Sequence, residues 1–246
     1  MLKSILRNLI RKTPYRIIRA NDLNRFQAIE ECLTSLAIRG YSPNICIDGG
    51  ANVGNFARCA AKVFPDTFIH LVEPQPACQA VLSQLALNNR FRLHSVALGS
   101  EVGCIDFAVS SAGVTTGAHV LPSHETDTDS IRIDVPVTRL DVLFASDIAL
   151  GDRAFLKLDL QGWELEALKG AERLHDKIEV ILTEASFFIQ AYEPSIETLF
   201  RYLDECGFAL YDVASLAARR RDNRAHQADF VFVRRNSPLL ADTAWG

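Results

Sequence analysis

Asp48-Gly49-Gly50-Ala51-Asn52-Val53-Gly54 directly follows a short apolar run and precedes a helix-patterned stretch that begins Asn55-Phe56-Ala57-Arg58. Glycines at such a strand-to-helix turn let the backbone bend sharply and approach a ligand closely. The following helix aims the positive end of its dipole at the same point. Glu73 ends the next apolar run, roughly twenty residues on, where a carboxylate can accept both hydroxyls of a ribose. Turn and acid together point to a ligand containing a nucleoside. Ala51 stands at the central glycine of the dinucleotide pattern G-x-G-x-x-G, which disfavours close approach of a pyrophosphate. The plainer reading of Glu73 is a helix-capping or surface acid ahead of Pro74.

These residues need a frame, and the apolar pattern supplies one. Apolar runs at 44–49, 68–73 and 91–98 alternate with helical patterns near 54–64 and 76–88, and this alternation is that of βαβ units with a parallel sheet. Further runs follow at 154–160 and 179–185, with a helix from about 163 to 169 between them, and a helical stripe Ile196, Leu199, Phe200, Leu203 closes at Gly207. The last two runs, 208–213 and 229–233, have no helical pattern between them, so they form an antiparallel pair. The expected architecture is α/β: a seven-stranded, mostly parallel sheet with helices on both faces and a reversed last strand. Asp159 ends the fourth parallel strand at the same sheet edge as the glycine turn, which is where open α/β sheets bind ligands.

Alternating runs at 104–110 and 132–137 flank a polar segment, 111–130, and read as a two-stranded insertion at about 103–137. Its loop is either a substrate lid or a variable surface loop, since long loops are often functional but length alone does not decide. Residues 1–40 form an N-terminal helical extension, 41–236 the main domain and 237–246 a tail. Residues 1–19 carry Lys3, Arg7, Arg11, Lys12, Arg16 and Arg19 opposite an apolar stripe. Such a helix either lies on an anionic membrane surface or packs on the domain or on a second subunit in a homo-oligomer.

A 246-residue chain with 48% hydrophobic and 23% charged residues can fill one sizeable α/β core, and its net charge of −4 argues against a nucleic-acid partner held by phosphate neutralisation. The cysteines at 32, 46, 59, 78, 104 and 206 lack zinc or redox spacing and read as reduced core residues. Without a leader pattern or a long apolar span the cytoplasm is the default location, peripheral to the inner membrane surface if residues 1–19 bind lipid.

The series Asp48, Gly50, Asn52, Gly54 resembles motif I of class I S-adenosylmethionine-dependent methyltransferases, acid-x-G-x-G-x-G, with Asn52 at the second glycine place. Asparagine tolerates a left-handed backbone, so the departure is mild. With Val72-Glu73-Pro74, Val96-Ala97-Leu98-Gly99, Leu156-Lys157-Leu158-Asp159-Leu160-Gln161-Gly162, Glu164, Glu166, Leu168-Lys169-Gly170-Ala171 and Thr183-Glu184, the sequence resembles the FkbM family of methyltransferases over roughly residues 45–235. The resemblance implies a Rossmann-like methyltransferase fold, S-adenosylmethionine as donor, and a hydroxyl acceptor on a sugar, polyketide or related metabolite. It places Asp48, Gly49, Gly50, Ala51, Asn52, Gly54 and Asn55 at the methionine half of the cofactor. Glu73 and Pro74 fall at the ribose, and Val96, Ala97 and Leu98 at the adenine side. Asp159 then either holds the cofactor amino group or orients the acceptor.

Methyl transfer to a hydroxyl is helped by a nearby base, and Asp159, Glu164 and Glu184 are the candidates. Glu164 and Glu166 also sit where a helix dipole alone favours acids. Gln161 and the run Arg219, Arg220, Arg221 and Arg224 are candidate acceptor-binding residues; the arginines suit an anionic acceptor or are simply solvated. No metal cluster is evident, although Asp159 with Glu184 offers two oxygen ligands suited to magnesium. A nicotinamide-dependent oxidoreductase and a non-catalytic scaffold retaining the fold are the rival readings.

Overall fold

The computed structural model describes residues 25–110, 115–120, 130–149, 151–188, 194–219 and 221–244. The amphipathic segment 1–19 lies outside these residues. In chain order the elements are α1 (Arg25–Ile38), β1 (Ile45–Gly49), α2 (Asn55–Val63), β2 (Phe68–Val72), α3 (Pro76–Leu85), β3 (Phe91–His94), β4 (Ala97–Leu98), β5 (Gly103–Ser110), β6 (His119–Val120) and β7 (Ser130–Thr138). There follow α4 (Leu140–Leu143), β8 (Ala154–Leu158), α5 (Glu164–Lys169), β9 (Ile178–Ser186), α6 (Ile196–Glu205), β10 (Phe208–Ala218) and β11 (Ala225–Arg234).

The main sheet has the order β10-β11-β9-β8-β1-β2-β3. From β9 to β3 every pairing is parallel, and β11 runs antiparallel to both β9 and β10, so the reversed strand is wedged beside the sheet edge rather than placed on it. Strands buried on both faces must be apolar on both, which is why β1, β2 and β8 read as near-continuous runs. One face packs Leu33, Phe56, Leu82 and Phe155 under α1, α2 and α3; the other packs Ile47, Leu156, Leu168 and Leu203 under α5 and α6, with Phe144 just after α4. Local signals fix the ends of these helices. Ser195 caps α6 by accepting from Thr198 N, and Pro76 opens α3 where its missing N–H costs nothing.

The run 91–98 breaks in two. β3 ends at His94, and β4 leaves the main sheet to pair in parallel with β7. The expected pair of insertion strands is present as the antiparallel β5 and β7, and β4 and β6 extend it to a four-stranded sheet in the order β4-β7-β5-β6. Its own small core joins Ala97, Phe107, Val120, Val135 and Val137, with Trp163 packed against it. That core is what brings the insertion over the edge of the main sheet. Cys32, Cys46 and Cys78 are buried as expected, whereas Cys104 is exposed because β5 begins at the rim of the small sheet. Among the described residues no helix is long and apolar enough to cross a membrane.

Candidate active site

A cavity of about 470 Å³ opens at the carboxyl ends of β1, β2 and β8, roofed by the insertion and walled at one end by α1. Its size is that of a cofactor or small-ligand site. The floor is the glycine turn. Gly50 N and Ala51 N both donate to the Val72 carbonyl, at 2.9 and 3.1 Å, and tie the turn to the end of β2. Gly50 at φ 74° and Gly54 at φ 79° take the left-handed backbone that glycine adopts freely, and Asn52 takes it at φ 49°. Gln161, at φ 54°, does the same on the facing turn after β8. Asn52 and Gln161 both line the cavity, so two turns there hold backbone that is costly for a side-chain-bearing residue.

Glu73 is buried, with its two oxygens turned toward the glycine turn: Oε2 accepts from Asn52 N at 2.8 Å and Oε1 from Gln75 N at 3.0 Å. Burial raises its pKa, and these two N–H groups pull it part of the way back. Each carboxylate oxygen keeps a second lone pair for a hydroxyl donor. Asn52 also reaches up to the insertion, its Nδ2 donating to the Thr115 carbonyl at 2.9 Å and its Oδ1 accepting from Thr115 Oγ1 at 3.0 Å. Gln75 Nε2 donates to the same carbonyl at 3.1 Å. Thr115 is thus latched over the Glu73 part of the cavity.

Asp48 lies beneath the turn and is fully buried, 2.9 Å from Lys157 Nζ. Lys157 donates to the carbonyls of Gly49 and Gly50 at 3.1 and 2.8 Å. Burial alone would lower its pKa, but Asp48 and Asp159 outweigh burial and hold the proton on. Lys157 therefore pins the glycine turn from below with a fixed charge. Sequence reasoning gave it no role, yet a lysine between Leu156 and Leu158 in a doubly buried strand demands an acid on a neighbouring strand, and Asp48 is its register partner on β1.

At the other end, Asp159 Oδ1 accepts from Gln161 Nε2 at 2.8 Å, and Oδ2 sits 2.9 Å from Arg25 Nη1. Burial favours its neutral form, but Lys157 and Arg25 overcome this and lower its pKa. Glu184 behaves oppositely. Burial, followed by the charge of Asp159, pushes it up to about 9 although Arg25 lies 2.9 Å away. Two acids with divergent proton affinities thus meet on Arg25, Asp159 ionised on the cavity wall and Glu184 protonated behind it near neutral pH.

Gly50, Ala51, Asn52, Asn55, Glu73, Pro74, Val96, Ala97, Leu98, Asp159 and Gln161, all expected from the sequence, line the cavity, whereas Asp48, Gly49 and Gly54 support it from outside. Glu164 and Glu184 face a separate small recess. Glu164 Oε1 accepts from Leu160 N at 2.7 Å and Gly162 N at 3.3 Å, closing the β8–α5 turn, and burial lifts it to about 7. Arg219, Arg221 and Arg224 lie on the β10–β11 hairpin at the same sheet edge but do not line the cavity, and Arg220 lies outside the described residues. Arg219 pairs with Asp222, and the Arg219 and Arg224 guanidiniums stand over the Phe188 ring at 4.9 and 4.2 Å. Arg25 and Gln227 line the cavity without any signal in the local sequence, because each arrives from a distant element; Thr115 comes from the polar segment 111–130 and Trp163 from the start of the helix that follows Gln161. Among the described residues no group of three or more His, Cys, Asp or Glu is placed to hold a metal ion.

The chain is 26% identical over 216 residues to the methyltransferase sdnD of Sordaria araneosa, covering 72% of this chain and 81% of the relative. Among solved structures it is similar to cofactor-bound Rv0187 from MTB, at 13% identity with 96% and 89% of the two chains covered and a TM-score of 0.49. It is also similar to the 1,6-didemethyltoxoflavin-N1-methyltransferase of Burkholderia thailandensis with bound S-adenosylhomocysteine, at 13% identity, 87% and 80% coverage and a TM-score of 0.41. The family described as the methyltransferase FkbM domain matches residues 48–210, a span that runs from the acid beneath the glycine turn into β10. The glycine turn, Glu73 and Asp159 all fall within that span, and the chain belongs to the FkbM family of methyltransferases.

Proposed function

We propose that this methyltransferase uses S-adenosylmethionine and methylates a hydroxyl oxygen on a sugar, glycan or small metabolite. The observation that supports the reading is one cavity lined both by Glu73, whose two oxygens are held by backbone N–H groups, and by the buried Asp159. Donor chemistry fits the residues present. Gly50 lets its turn pack against the Asp159 main chain at the cavity wall, the start of α2 at Asn55 borders the cavity where it can receive a carboxylate, and Glu73 offers paired acceptors for paired hydroxyls. When bound, S-adenosylmethionine supplies an electrophilic methyl on a positively charged sulfur. Asp48, Glu73, Asp159 and Asp229 outnumber Lys157 and Arg25 in and around the cavity, and such a field favours a cation.

On the acceptor side Asp159 is held anionic and takes the proton that a hydroxyl must shed as its oxygen bonds to the methyl carbon. Gln161 fixes the Asp159 carboxylate, and Gln227, which donates to Glu184 at 2.8 Å, adds an amide to the same wall. Amides beside an acid suit a neutral polyhydroxylated acceptor. The remaining task is alignment and exclusion of water, which the insertion roof and α1 serve.

The test is incubation with methyl-labelled S-adenosylmethionine and a panel of simple glycosides, polyols and small alcohols. Label carried on oxygen in an acid-stable ether is the expected result. Label on nitrogen or carbon, or binding of NAD but not of S-adenosylhomocysteine, would contradict the reading.

A further inference from the structure

Arg25 is the first residue of α1, and Asp229 sits in β11; both fall outside the matched span 48–210. Their side chains nevertheless meet at the cavity's acidic end. Arg25 Nε donates to Asp229 Oδ2 at 2.8 Å and Nη2 to Oδ1 at 2.5 Å. The same guanidinium places Nη1 2.9 Å from Asp159 Oδ2 and Nη2 2.9 Å from Glu184 Oε2. Three carboxyls, from the turn after β8 and from β9 and β11, thus share one planar cation, an arrangement that a fork of five N–H donors permits and a lysine ammonium does not reproduce.

The acids it joins are largely buried, Asp229 at 1% side-chain exposure, and Asp229 and Glu184 are register partners on adjacent strands. Carboxylates packed this closely cannot all stay ionised without a cation among them. The other groups facing the cluster are Lys157 and Asp48 from β8 and β1, Glu164 from α5, the Cys32 thiol from α1, Ser215 from β10, which donates to Asp229, and the amides of Gln161 and Gln227. Of these only Lys157 carries positive charge, and it is committed to Asp48 and the glycine turn.

We propose that Arg25 is a positioning residue of the methyl-transfer site: by drawing Asp159, Glu184 and Asp229 onto one guanidinium it fixes the orientation and the charge of Asp159 at the cavity wall. The inference rests on the cofactor reading above. It assigns to α1, which lies ahead of the family segment, a part in the reaction rather than in packing alone.

The test is calorimetric titration of the full chain, wild type, Arg25→Lys and Arg25→Gln, with S-adenosylmethionine and with S-adenosylhomocysteine in buffers of different ionisation enthalpy. Only the first ligand carries a sulfonium charge, so the ratio of the two affinities reports the charge of the acidic wall. Any effect of the substitution on cavity packing falls on both ligands alike, so the ratio of affinities, and not either affinity alone, is the readout. Arg25→Gln should raise the preference for S-adenosylmethionine by about three- to tenfold, the scale of removing one unit charge from a partly solvated cluster. It should also release more protons on binding near neutral pH, since an acid that gains a proton when Arg25 is lost gives it up to the arriving cation. Arg25→Lys should fall between.

An Arg25→Gln protein with wild-type preference and wild-type proton release overturns the proposal. If Arg25→Gln binds neither ligand, Arg25→Gly titrated with added guanidinium ion takes its place; recovery of the wild-type preference supports the proposal and no recovery overturns it. Wild-type protein that binds neither ligand overturns the cofactor reading itself, and with it this one.

Discussion

The Asp159 carbonyl lies so close to Gly50 that a Cβ built at position 50 would come within 2.0 Å of its oxygen. The turn after β1 and the turn after β8 are therefore fitted main chain to main chain, and the cavity floor exists only while position 50 has no side chain. Gly50→Ala should abolish binding of S-adenosylhomocysteine or cost more stability than the about 1–3 kcal/mol of left-handed strain alone. Thermal unfolding with and without the ligand checks this. A variant with wild-type stability and affinity would mean that the two turns can separate freely.

Lys157 and Asp48 form a buried pair in which neither partner can be solvated alone. Lys157→Met should destabilise the fold by about 3–5 kcal/mol, the scale for leaving a buried charge unpaired, and Asp48→Asn in the same chain should recover part of that loss. Urea unfolding of the single and double variants measures it. Equal stabilities for wild type and Lys157→Met would show that the pair is not shielded from water.

Glu184 gives a signed dependence on pH. Its folded pKa of about 9 lies above its unfolded value, so its contribution to stability is full below the unfolded pKa and is lost as pH rises toward 9. The melting temperature should fall between neutral pH and about pH 9, and Glu184→Gln should flatten that fall. An identical pH profile for the variant would show that Glu184 ionises normally.

Asn52 is the device that joins the glycine turn to the insertion, through its two contacts with Thr115. Asn52→Gly keeps the left-handed backbone but removes both. Each such bond is worth about 0.5–1.5 kcal/mol, so ligand dissociation should speed up several-fold while the fold is hardly affected. Stopped-flow release of S-adenosylhomocysteine tests this, and an unchanged rate would show that Thr115 does not hold the roof down.

The parts of the site that the sequence made legible are those formed by neighbours in the chain. The turn 48–54, Glu73 at the end of β2 and the strand end at Asp159 are each a local strand-to-turn signal, and each lies at the cavity. The wall opposite Glu73 is different in kind. Arg25 meets Asp229 across 204 residues, and Thr115 meets Asn52 across 63. Such contacts depend on how α1 and the insertion pack, which periodicity does not encode. The roles expected for the acids also divided with burial. Glu164, expected as a possible base, is turned to its own backbone and serves the β8–α5 turn. Arg219 and Arg224 of the β10–β11 hairpin share the sheet edge but spend their charge on Asp222 and the Phe188 ring.

Titration of wild type and Glu73→Ala with S-adenosylhomocysteine, with NAD run in parallel, tests the central claim that this cavity is a methyl-donor site whose ribose acid is Glu73. Wild type should bind S-adenosylhomocysteine and not NAD, and Glu73→Ala should weaken binding by about 1–3 kcal/mol, the scale of buried polar partners left unmade. Binding of NAD alone, or an unaltered titration for Glu73→Ala, would contradict it.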